Sequence, residues 1–108
     1  MRVKFLPAAV EELAEATEYL RVRSPRAAEG FLAAVTAAQE LLLRFPHAGP
    51  PLRGKTRRIL LRKYPYQLVY RVMGEEIRIY AVAHLKRKPS TGKIGSGSSA
   101  TATADRSI

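Results

Sequence analysis

The sequence predicts an α+β fold: a single domain of strand, helix, helix and three-stranded antiparallel meander, with the helix hairpin packed on one face of a small sheet. Three observations carry this expectation. Apolar residues recur at three- and four-residue steps through the first half, the period drops to two from Thr56 onward, and Gly/Pro-rich stretches separate the segments. With 108 residues, 46% of them hydrophobic, the chain can fill one core but not two.

A short strand, "RVKFL", alternates Val3 and Phe5 against Arg2, Lys4 and Leu6. Pro7 then opens a helix in which Val10, Leu13, Thr17 and Leu20 form the apolar stripe. Glu11, Glu12, Glu15 and Glu18 occupy its other faces and give an acidic first turn that the helix dipole favours. In "RSPRAAEGF" the helical pattern restarts, with Ser24 as a good N-cap and Pro25 as a good first helical residue. Phe31, Val35, Ala38, Leu42 and Phe45 continue the stripe until "FPHAGPP" stops it. Two helices joined so tightly should fold back as an antiparallel hairpin.

Three strands follow. In "RRILLRK", Ile59 and Leu61 alternate with Arg58, Leu60 and Arg62; in "YQLVYRV", Tyr66, Leu68, Tyr70 and Val72 alternate with Gln67, Val69 and Arg71. The third, "IRIYAVAH", sets Ile77, Ile79, Ala81 and Ala83 against Arg78, Tyr80, Val82 and His84, after a turn at "MGEE". Each strand has one apolar side, which the helix hairpin should cover. Leu13, Leu20, Phe31, Val35 and Leu42 should then meet Phe5, Ile59, Leu68 and Ile79, and Tyr66 and Tyr70 should be core rings. The uncovered side should display Arg2, Lys4, Arg58, Arg62, Arg71, Arg78 and His84 together.

Charge is segregated along the chain. Residues 1–50 hold six Lys/Arg and six Glu, whereas residues 51–90 hold eleven Lys/Arg against Glu75 and Glu76, so most of the net +10 lies in the second half. Such an excess suits a polyanion or an acidic partner better than mere solubility does. Residues 90–108, rich in Gly, Ser, Thr and Ala without a hydrophobic period, should be a disordered tail after a folded domain of residues 1–89. The chain has no cysteine, so disulfides and thiolate metal sites are excluded, and no cofactor or metal motif is present. No apolar run approaches the roughly 18 residues of a membrane span. The expectation is a soluble, cytoplasmic protein without a membrane partner.

Candidate chemistry is narrow. Histidine is the side-chain type suited to proton transfer near neutrality, and the chain has two, His47 and His84, of which His47 lies in a Pro/Gly loop. His84, immediately before "LKRKP", is therefore the one attractive general acid or base, with Arg62 and Arg87 as stabilisers of phosphate charge. The competing structural role for His84 is a polar residue that closes a strand. Lys86, Arg87 and Lys88, with Arg58, Arg62, Arg71 and Arg78, form the candidate surface for a target or nucleic acid. A general nucleic-acid-binding module is the weakest reading, because the basic residues lie on strands and lack interleaved exposed aromatics.

The order of elements, and above all "RRILLRKYPYQLVYRV" and "AVAHLKRKP", resembles the RelE/ParE superfamily of bacterial toxins from type II toxin–antitoxin modules over residues 1–89. The chain departs from many relatives in following its basic cluster with "STGKIG" rather than an aromatic pair. The resemblance implies a small toxin neutralised by a cognate antitoxin. Two activities follow from its two branches. A ParE-like protein binds and poisons DNA gyrase, and this branch is favoured by the wording of the motifs and the scarcity of proton-transfer groups. A RelE-like protein cleaves mRNA on the ribosome as a metal-free endoribonuclease, with His84 as its catalytic group.

Overall fold

The computed structural model describes residues 1–86. Arg87, Lys88 and the tail expected over 90–108 lie outside the described residues. The order is β1 (Arg2–Phe5), α1 (Pro7–Arg23), α2 (Pro25–Arg44), β2 (Pro51–Arg53), β3 (Thr56–Leu60), β4 (Tyr66–Met73) and β5 (Glu76–His84). The strands form one mixed sheet in the order β1-β5-β4-β3-β2. β2 to β5 are an antiparallel meander, and β1 runs parallel to β5, with Lys4 opposite Arg78. The α+β class and the hairpin-on-sheet arrangement match the sequence reading; β2, a three-residue edge strand opened by Pro51, is an addition to it.

Ser24 caps α2 as expected, its hydroxyl accepting from the Ala27 N–H at 3.2 Å, and Pro25 follows at the first helical position. In α1, Pro7 also opens the helix, but Glu11 and Glu12 fall beyond its first turn, which contains no acidic residue. The stripe differs as well. Ala9 and Ala16 are buried and Leu13 and Leu20 pack partly against the core, while Val10 is exposed. Small side chains line the seam of α1, and alanine gives little hydrophobic signal in a sequence. Phe45 ends α2 with a non-helical backbone and is likewise exposed.

The core is otherwise the expected one. Phe31, Leu42, Leu68, Tyr70, Ile77 and Ile79 are fully buried, with Val35 beside them and Phe5 and Ile59 at the margin. Phe31 meets Tyr66 at 5.0 Å between ring centroids and Tyr64 edge-on at 5.8 Å.

Tyr70 ties the loop after α2 to the sheet. Its buried hydroxyl accepts from the Gly49 N–H and donates to the Pro46 carbonyl, both at 2.9 Å, while Arg57 donates to the Gly49 carbonyl at 2.7 Å. Burial raises the phenol above its usual pKa, so the hydroxyl stays protonated and able to donate. A Cβ at Gly49 would overlap the Arg58 carbonyl oxygen, a backbone atom with little freedom to move. Gly49→Ala is therefore expected to cost about 1–3 kcal/mol in denaturant melts, as overpacking of a filled site does. A stability equal to the parent chain's would show that the loop is not clamped there.

Candidate functional site

A β-bulge decides where the candidate residues point. Tyr70 pairs with Ile79, but the next residue back on β4, Val69, pairs with Ala81, which leaves Tyr80 without an opposite residue. Beyond this point the faces of β5 exchange. Val82 pairs with Leu68 and is buried, and His84 pairs with Tyr66 on the side that the helices cover. Ala81 and Ala83 take the outward side instead. The expectation that His84 shares a face with Arg58, Arg71 and Arg78 is thus corrected: strict alternation does not survive the extra residue. Arg78 and His84 are also six residues apart, about 20 Å along a strand.

The surroundings of His84 are those of a strand end. Its ring packs edge-on against Tyr66 at 4.9 Å, and its Nδ1 accepts from the Lys86 N–H at 3.0 Å. The Leu85 N–H donates to the Pro65 carbonyl at 2.8 Å, which fastens this end of β5 to the β3–β4 turn. Arg62 belongs to that turn rather than to the alternating face of β3, because β3 ends at Leu60. Lys63 holds a left-handed backbone beside it, with φ at 71°. The structure therefore brings Arg62, His84 and Lys86 to one end of the sheet, with Arg62 and Lys86 exposed.

The open face carries the remaining cations. Arg58, opposite Val69, reaches Gln67 Oε1 at 3.3 Å, and this reach keeps its stem against the sheet; Val69 is only 6% exposed although no helix covers it. Arg71 and Arg78 stand directly opposite each other, and Lys4 stands opposite Arg78 on the next strand. Glu76 is the carboxylate among them. Its Oε1 accepts from Arg78 at 2.8 Å and its Oε2 lies 3.3 Å from Arg2 Nε. The Arg78 hydrogen bond holds the Glu76 carboxyl below the usual carboxylate range, and in turn raises the guanidinium pKa of Arg78. Both groups are ionised at neutral pH.

Glu12 is a residue that sequence reasoning missed. The helical period places it away from the apolar stripe, yet its Oε1 accepts from the Val82 N–H at 2.8 Å. β1 pairs with β5 only as far as Ile79, so this part of the outer edge of β5 has no strand beside it and α1 supplies the acceptor. No local pattern marks such a contact across 70 residues. The bulge did leave a signal: in "AVA" (residues 81–83) both alternating sets are apolar, and Val82 is the largest of the three residues, so burying it repays a slip of register.

Among the described residues, no group of His, Cys, Asp and Glu is placed to hold a metal ion, and no helix is long and apolar enough to cross a membrane. A family model described as the ParE toxin of the type II toxin-antitoxin system, parDE, matches residues 3–89. Among solved structures, the chain is similar to one from the chromosomal ParDE TA system of P. aeruginosa. The TM-score is 0.69 at 21% identity, over 80% of this chain and 97% of that one, a likeness that shows the fold. No curated protein matches the sequence.

Proposed function

Because the chain belongs to the ParE toxin family of type II toxin–antitoxin systems, we propose that it inhibits growth by binding and poisoning DNA gyrase, and that a cognate antitoxin neutralises it. The observation that carries this reading is the position of His84. Cleaving RNA without a metal needs a proton-transfer group aimed at the same phosphate that the cations hold. His84 lies on the helix-covered side, its Nδ1 engaged by the Lys86 N–H, while Arg58, Arg71 and Arg78 lie on the other side. Among the described residues, Arg58, Arg71 and Arg78 have no imidazole on their face, and Glu76, the carboxylate beside Arg78, is engaged by Arg78 and Arg2, so cations so placed serve binding.

In this reading Arg62, Lys86, Arg87 and Lys88 form a docking end for an acidic or phosphate-bearing part of the gyrase–DNA complex, in the cytoplasm. Residues 1–89 act as the toxin domain, and residues 90–108 are dispensable. The antitoxin answers the charge of the basic face, which steers association, while apolar anchors hold the complex. The test incubates purified chain with gyrase, ATP and supercoiled DNA, and separately with ribosomes translating a message. Accumulation of protease-releasable gyrase–DNA breaks with intact message is the expected result. Codon-specific cleavage of the message that disappears in His84→Gln would replace this reading with the RelE-like endoribonuclease.

A further inference from the structure

We infer that Tyr64 is a positioning residue of the docking end: seated over Gly30 of α2, its ring holds the turn between β3 and β4, and with it Arg62 and Lys63, in the shape that meets the target. The inference deepens the reading of this end as the docking surface and rests on it. Lys63 supplies the motive. Its φ of 71° is a conformation that a residue with a side chain adopts rarely, and it lasts only where the surroundings fix it. Across the base of the turn the Leu61 N–H donates to the Tyr66 carbonyl at 2.9 Å, and the Tyr66 N–H donates to the Tyr64 carbonyl at 2.7 Å. Pro65 restricts the backbone of Tyr64 before it. Arg62 and Lys63 are left exposed.

Those bonds stay within the sheet; the tie to the helices is the Tyr64 side chain. It is half-buried and stands edge-on to Phe31, which is 0% exposed and therefore a fixed support. Its hydroxyl fills the space that a side chain at position 30 would need. A Cβ on Gly30 would overlap the hydroxyl oxygen, whereas the ring carbon that bears it would lie at 3.4 Å, the near limit of ordinary contact. Gly30 lies inside α2, where alanine is the better helix former, so what the glycine contributes there is the notch for Tyr64. A tilt of the turn would also carry the end of β5, because the Leu85 N–H is bonded to the Pro65 carbonyl next to Lys86. Cations held in place before the encounter lose little freedom on binding, and a loosened turn gives that advantage up.

The test compares full-length variants by the concentration that gives half-maximal gyrase–DNA breaks, by growth inhibition, and by the amide signals of the 15N-labelled free chain. Gly30→Ala should displace the Lys63 and Leu85 signals and weaken trapping about tenfold, as loss of preorganisation does. Adding Tyr64→Phe to Gly30→Ala removes the overlapping oxygen and keeps the ring, so the double variant should return to within about threefold of the parent chain. Tyr64→Leu keeps an apolar contact with Phe31 but cannot reach Gly30. It reads the same role without an overlap and should also weaken trapping about tenfold. Parent-like trapping by Tyr64→Leu, a double variant as weak as Gly30→Ala, or unmoved Lys63 and Leu85 signals in Gly30→Ala would overturn the inference. A parent chain that traps no gyrase would instead fail the reading of the target, and growth inhibition by the same variants would then decide the role of Tyr64.

Discussion

Reversing Arg87 and Lys88 to glutamate together is expected to abolish growth inhibition, whereas His84→Gln is expected to leave it largely intact. The double reversal changes the net charge of the docking end by four units, immediately after the strand end that the Leu85–Pro65 hydrogen bond fastens. Attraction to an acidic or phosphate-bearing target becomes repulsion, which acts on both encounter and retention. Glutamine at position 84 keeps a planar side chain with an oxygen able to accept from the Lys86 N–H, but it cannot transfer a proton near neutrality. The pair of variants therefore separates docking from proton transfer. Induced expression in a strain lacking the antitoxin, scored by colony counts, is the measurement. Loss of about a hundredfold or more in RNA cleavage by the His84 variant, with toxicity lost in parallel, would assign His84 to catalysis.

The largest effect on stability is expected at Leu68. It is 0% exposed at the centre of the sheet, on the face that the helices cover, between Ile59 on β3 and Val82 on β5. Leu68→Ala removes apolar volume from a site hemmed in by strands on both sides and by the hairpin above, so the cavity cannot collapse, and the loss should be about 2–5 kcal/mol. Leu43→Ala, at an exposed position of α2, should stay within about half a kilocalorie of the parent. Denaturant melts that showed a similarly small loss at Leu68 would refute this packing.

Much of the fold was legible along the chain because the informative patterns are local. A period of 3.6 ending at a Pro/Gly stretch, Ser24 before Pro25, and alternating residues in β3 and β4 each record one element's own contact with the core. The candidate site was less legible. Its cations were identifiable by type, and Arg58, Arg71 and Arg78 do share the open face. Arg62 and His84 do not, for two different reasons: one belongs to a turn that the apolar run "ILL" concealed, and the other follows a bulge within an apolar stretch that fits either face.

By itself, the sequence determined the element types, the apolar side of each strand up to Arg78, and the concentration of charge in the second half. It also carried the wording by which the chain resembles its family. Tertiary structure alone decided the parallel pairing of β1 with β5, which Lys4 opposite Arg78 exemplifies, and the reach of Glu12 to Val82. It also decided the slip at Tyr80 that turns His84 away from the arginines. The physical reason is common to all three. Which strand lies beside which, and in what register, depends on sums of burial and hydrogen bonding between segments far apart in the chain. Where neighbouring residues such as Ala81, Val82 and Ala83 are all apolar, their own pattern leaves those sums nearly equal until the core selects the largest side chain.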